Sequence, residues 1–127
     1  MIDVTLGMKQ ILLNTLEDVF LKDYLDKFSK VMPGATRADI WRLFEKEYDV
    51  VFDTLIQGHN VLPFKDGVEP LKEKMTALVA HRVAVSNNLD IPITPPTIDD
   101  LFPAAFVTEA TPEQLAIFTS KSEPPAE

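Results

Sequence analysis

Residues 36–58 read TRADIWRLFEKEYDVVFDTLIQG and carry the clearest helical pattern in the chain. Thr36 and Asp39 have the spacing of a capping box, with aspartate in place of the usual glutamate or glutamine, so a helix should begin there. Gly58 stands where helices commonly end. Between these limits the apolar side chains recur every three to four positions and form one wide face, composed of Ile40, Leu43, Phe44, Val51, Phe52, Leu55 and Ile56. The pattern predicts an amphipathic helix that buries this face.

An earlier helix is predicted from a second apolar stripe with the same spacing. Its members are Leu16, Val19, Phe20, Tyr24, Phe28 and Val31. On the opposite side, acidic and basic residues alternate at intervals of four, which suits a surface in contact with water: Asp18, Lys22, Asp26 and Lys30. Pro33 disfavours the helical conformation of the residue before it, so this helix should end at Met32. Its start is left open between Asp3 and the residues after Gly7.

A third helix is predicted to begin near Pro70, because proline is favoured in the first turn of a helix. Its inward stripe consists of Leu71, Met75, Leu78, Val79 and Arg82. Residues 81–86, HRVAVS, have two interpretations, since they also alternate like a strand that could pair with residues 1–6. We favour a helix, because no helix-breaking residue interrupts the pattern before Asn87 and Asn88.

The composition changes near Asp90, which divides the chain into a helical body, residues 1–90, and an arm, residues 91–127. The arm contains seven of the ten prolines, and one basic residue, Lys121, against six acidic ones. Pro95-Pro96 favours an extended backbone over a regular helix. The arm is therefore expected to begin as an extended, acidic, proline-rich segment.

Two short helical segments are predicted within the arm. Residues 97–102, TIDDLF, should form one capped turn that the following proline halts. Thr111 and Gln114 have the spacing of a capping box with proline at the first helical position, so a helix should cover residues 112–119. The predicted fold is mainly α: a small three-helix bundle followed by an extended proline-rich arm and a short C-terminal helix. The alternative is an α+β fold with a minor two-stranded ribbon.

The length, charge and cysteine count exclude several classes of protein. A chain of 127 residues fits one domain, and its 46% apolar and 25% charged residues are typical of folded globular proteins. The absence of cysteine excludes disulfides and thiolate metal sites. A net charge of -8 argues against direct binding to nucleic acid or anionic lipid. With neither a signal-peptide pattern nor a membrane-spanning apolar stretch, we expect a protein of the cytoplasm or of a virion.

The sequence contains no recognised catalytic signature, so we expect a protein that is not an enzyme and that needs neither a metal nor a cofactor. The two histidines, His59 and His81, lack the spacing of metal ligands, and surface or helix-capping roles are favoured for both. A small hydrolase or isomerase is an alternative, in which His59 would work with Asp53 or Asp66.

Two features of the helix predicted within residues 36–58 have both a structural and a functional interpretation. Glu45, Asp49 and Asp53 stand one turn apart and form an acidic row. This row could receive a basic partner, but we favour a solvated face that Arg42 and Lys46 partly neutralise. The aromatic residues of the same helix, Trp41, Phe44, Tyr48 and Phe52, could stack on bases, but Trp41, Phe44 and Phe52 are assigned to the core or to a subunit contact.

The arm is too apolar to be left in water. Full burial of each large apolar side chain gains about 1.5–3 kcal/mol, so these side chains need a surface on which to pack. The candidate partner-binding residues are the acidic row together with Ile91, Ile93, Ile98, Leu101, Phe102, Phe106 and Val107. Two alternatives stay open: the arm packs on the helices of its own chain, or it docks on another subunit.

The favoured function is that of a non-catalytic structural or interaction subunit, which binds neighbouring protein subunits of a homo- or hetero-oligomer through the arm. A virion connector or tail-type component, or an accessory subunit of an enzyme complex, has this profile. The alternative is an acidic regulator or inhibitor that binds a basic site on a partner protein. If the arm docks outside the chain, replacing Phe102 and Phe106 by serine should abolish partner binding while the body stays folded.

Overall fold

The structure is a computed structural model that describes residues 4–56 and 68–119, with side chains for residues 7–56 and 71–118. Its helices are α1 (Val4–Asp23), α2 (Leu25–Val31), α3 (Arg37–Ile56), α4 (Val68–Ser86), α5 (Ile98–Leu101), α6 (Ala104–Glu109) and α7 (Pro112–Thr119). No strand forms in the described ranges, so the mainly α fold is confirmed, and residues 4–6 and 81–86 are helical rather than paired in a ribbon. None of the described helices is both long and apolar enough to cross a membrane.

Two helices, α1 and α2, replace the single helix that the first stripe predicts. Tyr24 leaves helical geometry between them, with φ -122° and ψ -26°. Along a straight helix, Phe20 and Phe28 would be separated by about 12 Å. The break brings their rings to a centroid distance of 5.6 Å within one core. The inward stripe does not extend as far as predicted, since Val31 is exposed, whereas the helix end before Met32 is confirmed.

Helix α3 begins as its capping box predicts. The Thr36 amide donates to the Asp39 carboxylate, and the Asp39 amide donates to the Thr36 hydroxyl, each at 3.0 Å. The pKa of the Asp39 carboxyl is lowered by hydrogen bonding to Thr36. The backbone amide of Thr36 has the largest effect, and its side chain has the next largest. The buried residues are Ile40, Phe44, Tyr48, Val51, Phe52, Leu55 and Ile56. This is the predicted face with Tyr48 added and Leu43 only half-buried, while the end predicted at Gly58 lies outside the described residues.

Helix α4 continues through residues 81–86, which confirms the helical interpretation of that segment. Val83 and Ala84 are buried in the core. Beyond the helix, Asn88 adopts the left-handed conformation with φ 56°, and the Leu89 amide donates to the Ala84 carbonyl at 2.8 Å. Asparagine tolerates this conformation better than most residues, and the hydrogen bond satisfies a carbonyl of the last turn. The asparagine pair therefore ends the helix, as the sequence predicts.

The body is a bundle in which α4 packs against both α1 and α3, and α2 packs on α1 and α3. Its core includes the fully buried side chains of Leu16, Phe20, Phe28, Ile40, Phe44, Tyr48, Phe52, Leu55, Met75 and Leu78. The rings of Phe20 and Phe44 lie 4.6 Å apart, and Trp41 stacks on Phe44 at 5.0 Å. The core role predicted for the α3 aromatic residues is confirmed, with Trp41 half-buried at its edge.

The two predicted helical segments of the arm form at their predicted positions. At the start of α5, the Thr97 amide donates to the Asp100 carboxylate at 2.9 Å. At the start of α7, the Thr111 amide donates to the Gln114 side-chain oxygen at 2.8 Å, and the Gln114 amide donates to the Thr111 hydroxyl at 3.1 Å. Helix α5 packs on α4 and α7 packs on α3, so the arm lies on the body of its own chain.

Helix α6 is an element that the sequence did not predict. Its first turn forms on Pro103, whose carbonyl accepts hydrogen bonds from the amides of Phe106 and Val107 at 3.0 and 3.1 Å. The Phe106 ring stacks on that of Phe102, with centroids 4.2 Å apart. This contact ties the short helix to the core, because Phe102 is itself fully buried.

Candidate protein-interaction surface

The apolar side chains of the arm that were predicted to bind a partner fall into two groups. Four are buried in the core of their own chain: Ile91, Ile98, Leu101 and Phe102. Three are half-buried and pack against that core: Ile93, Phe106 and Val107. The arrangement corresponds to the first of the two alternatives, with the arm packed on its own helices. The four buried residues are therefore core residues in this fold, and we no longer assign them to a partner surface.

The first part of the arm is also held by two polar side chains of α4. His81 Nδ1 lies 3.1 Å from the Ile93 carbonyl oxygen. Because a carbonyl only accepts hydrogen bonds, this ring nitrogen must carry the proton. Lys74 Nζ donates to the Asp100 carbonyl at 3.3 Å. His81 does not lie in the last turn of its helix, since α4 continues to Ser86, and its contact is with the arm rather than with a helix end.

The last part of the arm is held by a partly buried ion pair. Arg82 Nε donates to Glu47 Oε1 at 3.2 Å, and its Nη1 donates to the Ile117 carbonyl at 3.1 Å. Ser86 Oγ donates to the other carboxylate oxygen of Glu47 at 3.0 Å. The two charged side chains are 20% and 16% exposed, so most of their surface is removed from water. This network joins α3, α4 and α7, although the sequence pattern placed Arg82 on an apolar stripe.

Outside these contacts, the arm turns an acidic and apolar side toward the solvent. Leu115 is 43% exposed, which makes it one of four large apolar residues exposed among the described side chains. Glu109 and Glu113 are exposed and have no ion-pair partner in the described ranges. No lysine or arginine occurs in residues 83–120. We call Glu109, Glu113 and Leu115 the arm surface.

The acidic row of α3 is partly neutralised by Lys9, a residue outside the predicted pattern. Lys9 Nζ, on α1, lies 3.2 Å from Asp49 Oδ1 and 3.0 Å from Asp53 Oδ1. The expected neutralisation by Arg42 and Lys46 is not found, since the ion pair of Arg42 is with Asp39 and Lys46 has none in the described ranges. Helix packing explains why Lys9 takes the place of the expected cations, because α1 lies against α3 and brings Lys9 close to Asp49 and Asp53.

The remaining member of the acidic row, Glu45, is half-buried. The carboxylates of Asp49 and Asp53 stay largely open to water, with side chains 61% and 67% exposed. Among the described residues, no group of three or more His, Cys, Asp or Glu side chains could hold a metal ion. The row is therefore an accessible surface feature with one lysine bridging two of its members.

Beside this ion pair, Tyr48 and Lys9 lock α3 to α1. The buried Tyr48 hydroxyl donates to the Lys9 carbonyl at 2.6 Å. Burial, followed by the negative charges of Asp49 and Asp53, raises the pKa of the Tyr48 phenol. Partial burial lowers the pKa of Lys9, but the hydrogen bonds and charges of the two aspartates outweigh it, so the net shift is upward. Both shifts favour the protonated forms of the two groups.

A second surface lies at the other end of α3, where an open groove of about 790 Å³ runs beside the turn after α2 and the end of α4. Met32 and Leu43 supply its apolar part, and Asn87 lines the α4 side. Arg42 and Lys46 line it one turn apart. We call these five residues the basic groove.

The local charge of this groove is opposite in sign to that of the whole chain. The acidic residue among its lining residues is Asp39, whose carboxylate accepts from the Thr36 amide and, at 3.4 Å, from Arg42 Nη1. Lys46 is exposed and has no hydrogen-bond or ion-pair partner within the described part of the chain. One aspartate thus faces two cations, in a protein of net charge -8.

The alternative of a small hydrolase or isomerase depends on residues that the structure does not describe. His59 and Asp66 lie outside the described residues. Its third residue, Asp53, is paired with Lys9. The described residues thus supply one carboxylate of that proposed site, and that carboxylate is engaged in the contact between α1 and α3.

Comparisons with known proteins assign no family to this chain. No protein-family model, no curated protein and no solved structure matches it. A functional proposal therefore rests on the surfaces described above.

Proposed function

We propose that this chain is a non-catalytic interaction subunit of a larger protein assembly, and that it binds a neighbouring protein through the arm surface. A virion connector or tail-type component and an accessory subunit of an enzyme complex are assemblies of this kind. The partner surface is expected to be apolar at its centre and basic at its rim, to match Leu115, Glu109 and Glu113.

The single observation that carries this proposal is that hydrogen bonds hold the arm on the body while it exposes an apolar side chain and two carboxylates. Leu115 is 43% exposed on a helix whose neighbouring residue Gln114 is only 6% exposed. Arg82 and Gln114 hold that helix on the body through backbone carbonyls. A surface that is already ordered loses little conformational entropy on binding, which favours affinity. An exposed leucine, together with two carboxylates that have no ion-pair partner among the described residues, supplies apolar contact and charge selectivity.

The proposal is tested by introducing a photo-crosslinking amino acid at position 115 in the cells that make the protein. The matched control carries the same amino acid in place of Ile11, which is 67% exposed on α1. We expect a discrete cross-linked protein from position 115 that is missing from position 11. The Glu109→Lys/Glu113→Lys variant should lose that product while keeping its circular dichroism spectrum. Equal products from both positions, or none from position 115, would overturn the proposal.

The acidic regulator is the second candidate, and the exposure of Asp49 and Asp53 favours it. A basic partner would compete with Lys9 for both carboxylates, which lie 3.0–3.2 Å from its amine. That competition lowers the electrostatic gain of binding, because each new contact replaces an existing one. Photo-crosslinking from position 50, between the two aspartates, distinguishes this candidate, since Val50 is 47% exposed on the same face.

A further inference from the structure

We propose that the basic groove of one copy of this chain receives the arm surface of a second copy, so that the protein assembles head to tail. The inference rests on the proposed function, because it names the partner of the arm surface. It assigns a binding function to the basic groove, and its ligand is the arm surface of a second copy of this chain.

The two surfaces are complementary in charge and in apolar character. The groove offers two cations next to apolar side chains: Lys46, and Arg42, which is paired with the groove residue Asp39 at 3.4 Å. The arm surface offers two exposed carboxylates, Glu109 and Glu113, and the exposed Leu115. Lys46 and both glutamates have no ion-pair partner in the described part of the chain, so docking breaks none of their described ion pairs. The groove, at about 790 Å³, has room for a leucine side chain and its flanking residues.

The start of the arm surface and the groove lie at different levels along α3. Gln114 Nε2 donates to the Leu55 carbonyl, which puts the start of α7, with Glu113, at the C-terminal end of α3. The groove residues Arg42 and Lys46 lie 13 and 9 residues earlier on the same helix. At 1.5 Å per residue, they are about 14–20 Å away along the helix axis.

Different patches of two identical subunits that fit each other form a reciprocal two-fold contact when both pairs of patches meet at once, and a heterologous contact when one pair meets. Heterologous contacts close into a ring when the rotation between subunits permits and otherwise extend into a filament. The head-to-tail arrangement predicts species larger than a dimer at high concentration, whereas association that stops at a dimer would overturn it.

The net charge of -8 opposes the association of identical chains, and this sets the conditions under which it should be visible. At 0.15 M salt the screening length is about 8 Å, shorter than the distance between the centres of two docked bodies. Repulsion between whole chains is then largely screened, whereas ion pairs in direct contact are retained. We expect association to be stronger at 0.15 M salt than at 0.01 M.

Sedimentation velocity of paired charge-reversal variants tests the inference at 0.15 M salt. Arg42→Glu/Lys46→Glu reverses the groove, and Glu109→Lys/Glu113→Lys reverses the arm surface. Each variant alone should associate at least about tenfold more weakly than the wild type, because like charges then meet. A mixture of the two should regain association, since each reversed surface meets a reversed partner surface.

Matched controls keep the net charge of each variant and leave both surfaces intact. Lys22→Glu/Lys30→Glu reproduces the charge of the groove variant, and Asp18→Lys/Asp26→Lys reproduces that of the arm variant. All four control positions are exposed on α1 and α2. Both controls should associate within about threefold of the wild type, because the changed charges lie outside the contact.

Three further outcomes would overturn the inference: a wild-type chain that stays monomeric at all concentrations, controls that weaken association as much as the surface variants, or a mixture that stays monomeric. If the chain is monomeric and position 115 cross-links to a different protein, the head-to-tail inference fails and the proposed function stands. If the chain assembles through other surfaces and position 115 gives no cross-link, both fail. A cross-link from position 115 to the 32–46 segment of another copy supports both.

Discussion

The side-chain nitrogen of Gln114 donates to the carbonyl of Leu55 at 3.1 Å, and so joins the last described helix to α3 across 59 residues of sequence. The oxygen of the same amide accepts from the Thr111 amide and caps α7. One buried glutamine therefore both starts its own helix and satisfies a carbonyl at the end of another, where helices leave such groups unpaired. The arm and the body are coupled at this point, so loss of one contact should destabilise both.

Gln114→Glu separates these two roles of the side chain. The glutamate still accepts from the Thr111 amide but cannot donate to Leu55, and it brings a negative charge against a carbonyl oxygen. We expect the free energy of unfolding to fall by about 1–3 kcal/mol, the cost of leaving a buried polar group unsatisfied. Urea unfolding followed by circular dichroism measures the change.

The matched control is Thr111→Ala, which removes the cap and keeps the contact with Leu55. Its expected cost is about 1 kcal/mol, with faster amide exchange confined to α7. Gln114→Glu should also raise amide exchange at the end of α3. Equal exchange profiles in the two variants would mean that the contact with Leu55 contributes nothing.

Phe102→Ala should destabilise the whole protein. Phe102 is 1% exposed, stacks on Phe106 and contacts the ring of Phe118 edge-on at 6.5 Å. Truncation of a buried phenylalanine costs about 3–5 kcal/mol, since it removes apolar burial and leaves a cavity. Thermal unfolding should show a lower midpoint with a single transition.

This outcome replaces the expectation that Phe102→Ser/Phe106→Ser leaves the body folded. The premise of that expectation was an arm docked outside the chain, whereas these rings are part of the shared core. Leu115→Ala is the control, with an expected cost within about 0.5 kcal/mol because its side chain is largely exposed. If Phe102→Ala costs no more than Leu115→Ala, the arm does not stabilise the body.

Local signals in the sequence were sufficient for most helix limits, because a capping box or a proline acts within four residues. Thr36, Thr111 and Pro33 each mark a limit that the structure reproduces. The break at Tyr24 was missed, because the stripe keeps its period across it and only the packing of Phe20 with Phe28 requires a bend. Helix α6 was missed although its ring contact between Phe102 and Phe106 is local, because Pro103 was interpreted as the end of the preceding turn and not as the start of a helix.

The polar contacts that hold the arm could not be predicted from spacing, because their partners are backbone carbonyls far away in the sequence. Arg82 gave one usable signal: a charged residue on an otherwise apolar stripe is rarely buried without a partner. That signal predicts an acidic partner but does not identify Glu47, which lies 35 residues earlier. The contact of Lys9 with Asp49 could not be predicted from the sequence either, since it depends on how α1 packs against α3.

Arg82→Leu should cost about 2–3 kcal/mol, because it leaves the carboxylate of Glu47 and the carbonyl of Ile117 without their donor. Glu47→Leu should cost a similar amount, since it leaves a largely buried guanidinium uncompensated. The double variant should cost less than the sum, with a coupling of about 0.5–3 kcal/mol. Urea unfolding of the four proteins completes the cycle.

The exposed pair of Arg42 with Asp39 provides the comparison for this cycle, with side chains 73% and 49% exposed. Removal of its cation by Arg42→Leu should cost only about 0.2–1 kcal/mol, as for other solvent-exposed ion pairs. Additive effects at Arg82 and Glu47 would show that the two side chains stabilise the fold independently, which their distance of 3.2 Å argues against.

Stability should fall at alkaline pH, and Tyr48→Phe should reduce that fall. Burial first, and then the charges of Asp49 and Asp53, raise the pKa of the folded phenol above its ordinary value of 10.0. Unfolded chains release the proton near pH 10 while the folded protein keeps it. The contribution is therefore complete below pH 10 and is lost as pH rises through the folded pKa. Urea unfolding between pH 8 and pH 11 measures the slope.

Tyr24→Phe separates the contribution of Tyr48 from that of the other tyrosine. The pKa of Tyr24 is also raised, first by partial burial and then by two nearby carboxylates, so its removal should flatten the slope less. Both variants keep the dependence due to Lys9, whose raised pKa acts in the same direction above its ordinary 10.5. At pH 7, Tyr48→Phe should cost about 0.5–1.5 kcal/mol for the lost hydrogen bond to the Lys9 carbonyl. An unchanged slope in Tyr48→Phe would mean that the hydroxyl reaches water in the folded protein, against its burial between α1 and α3.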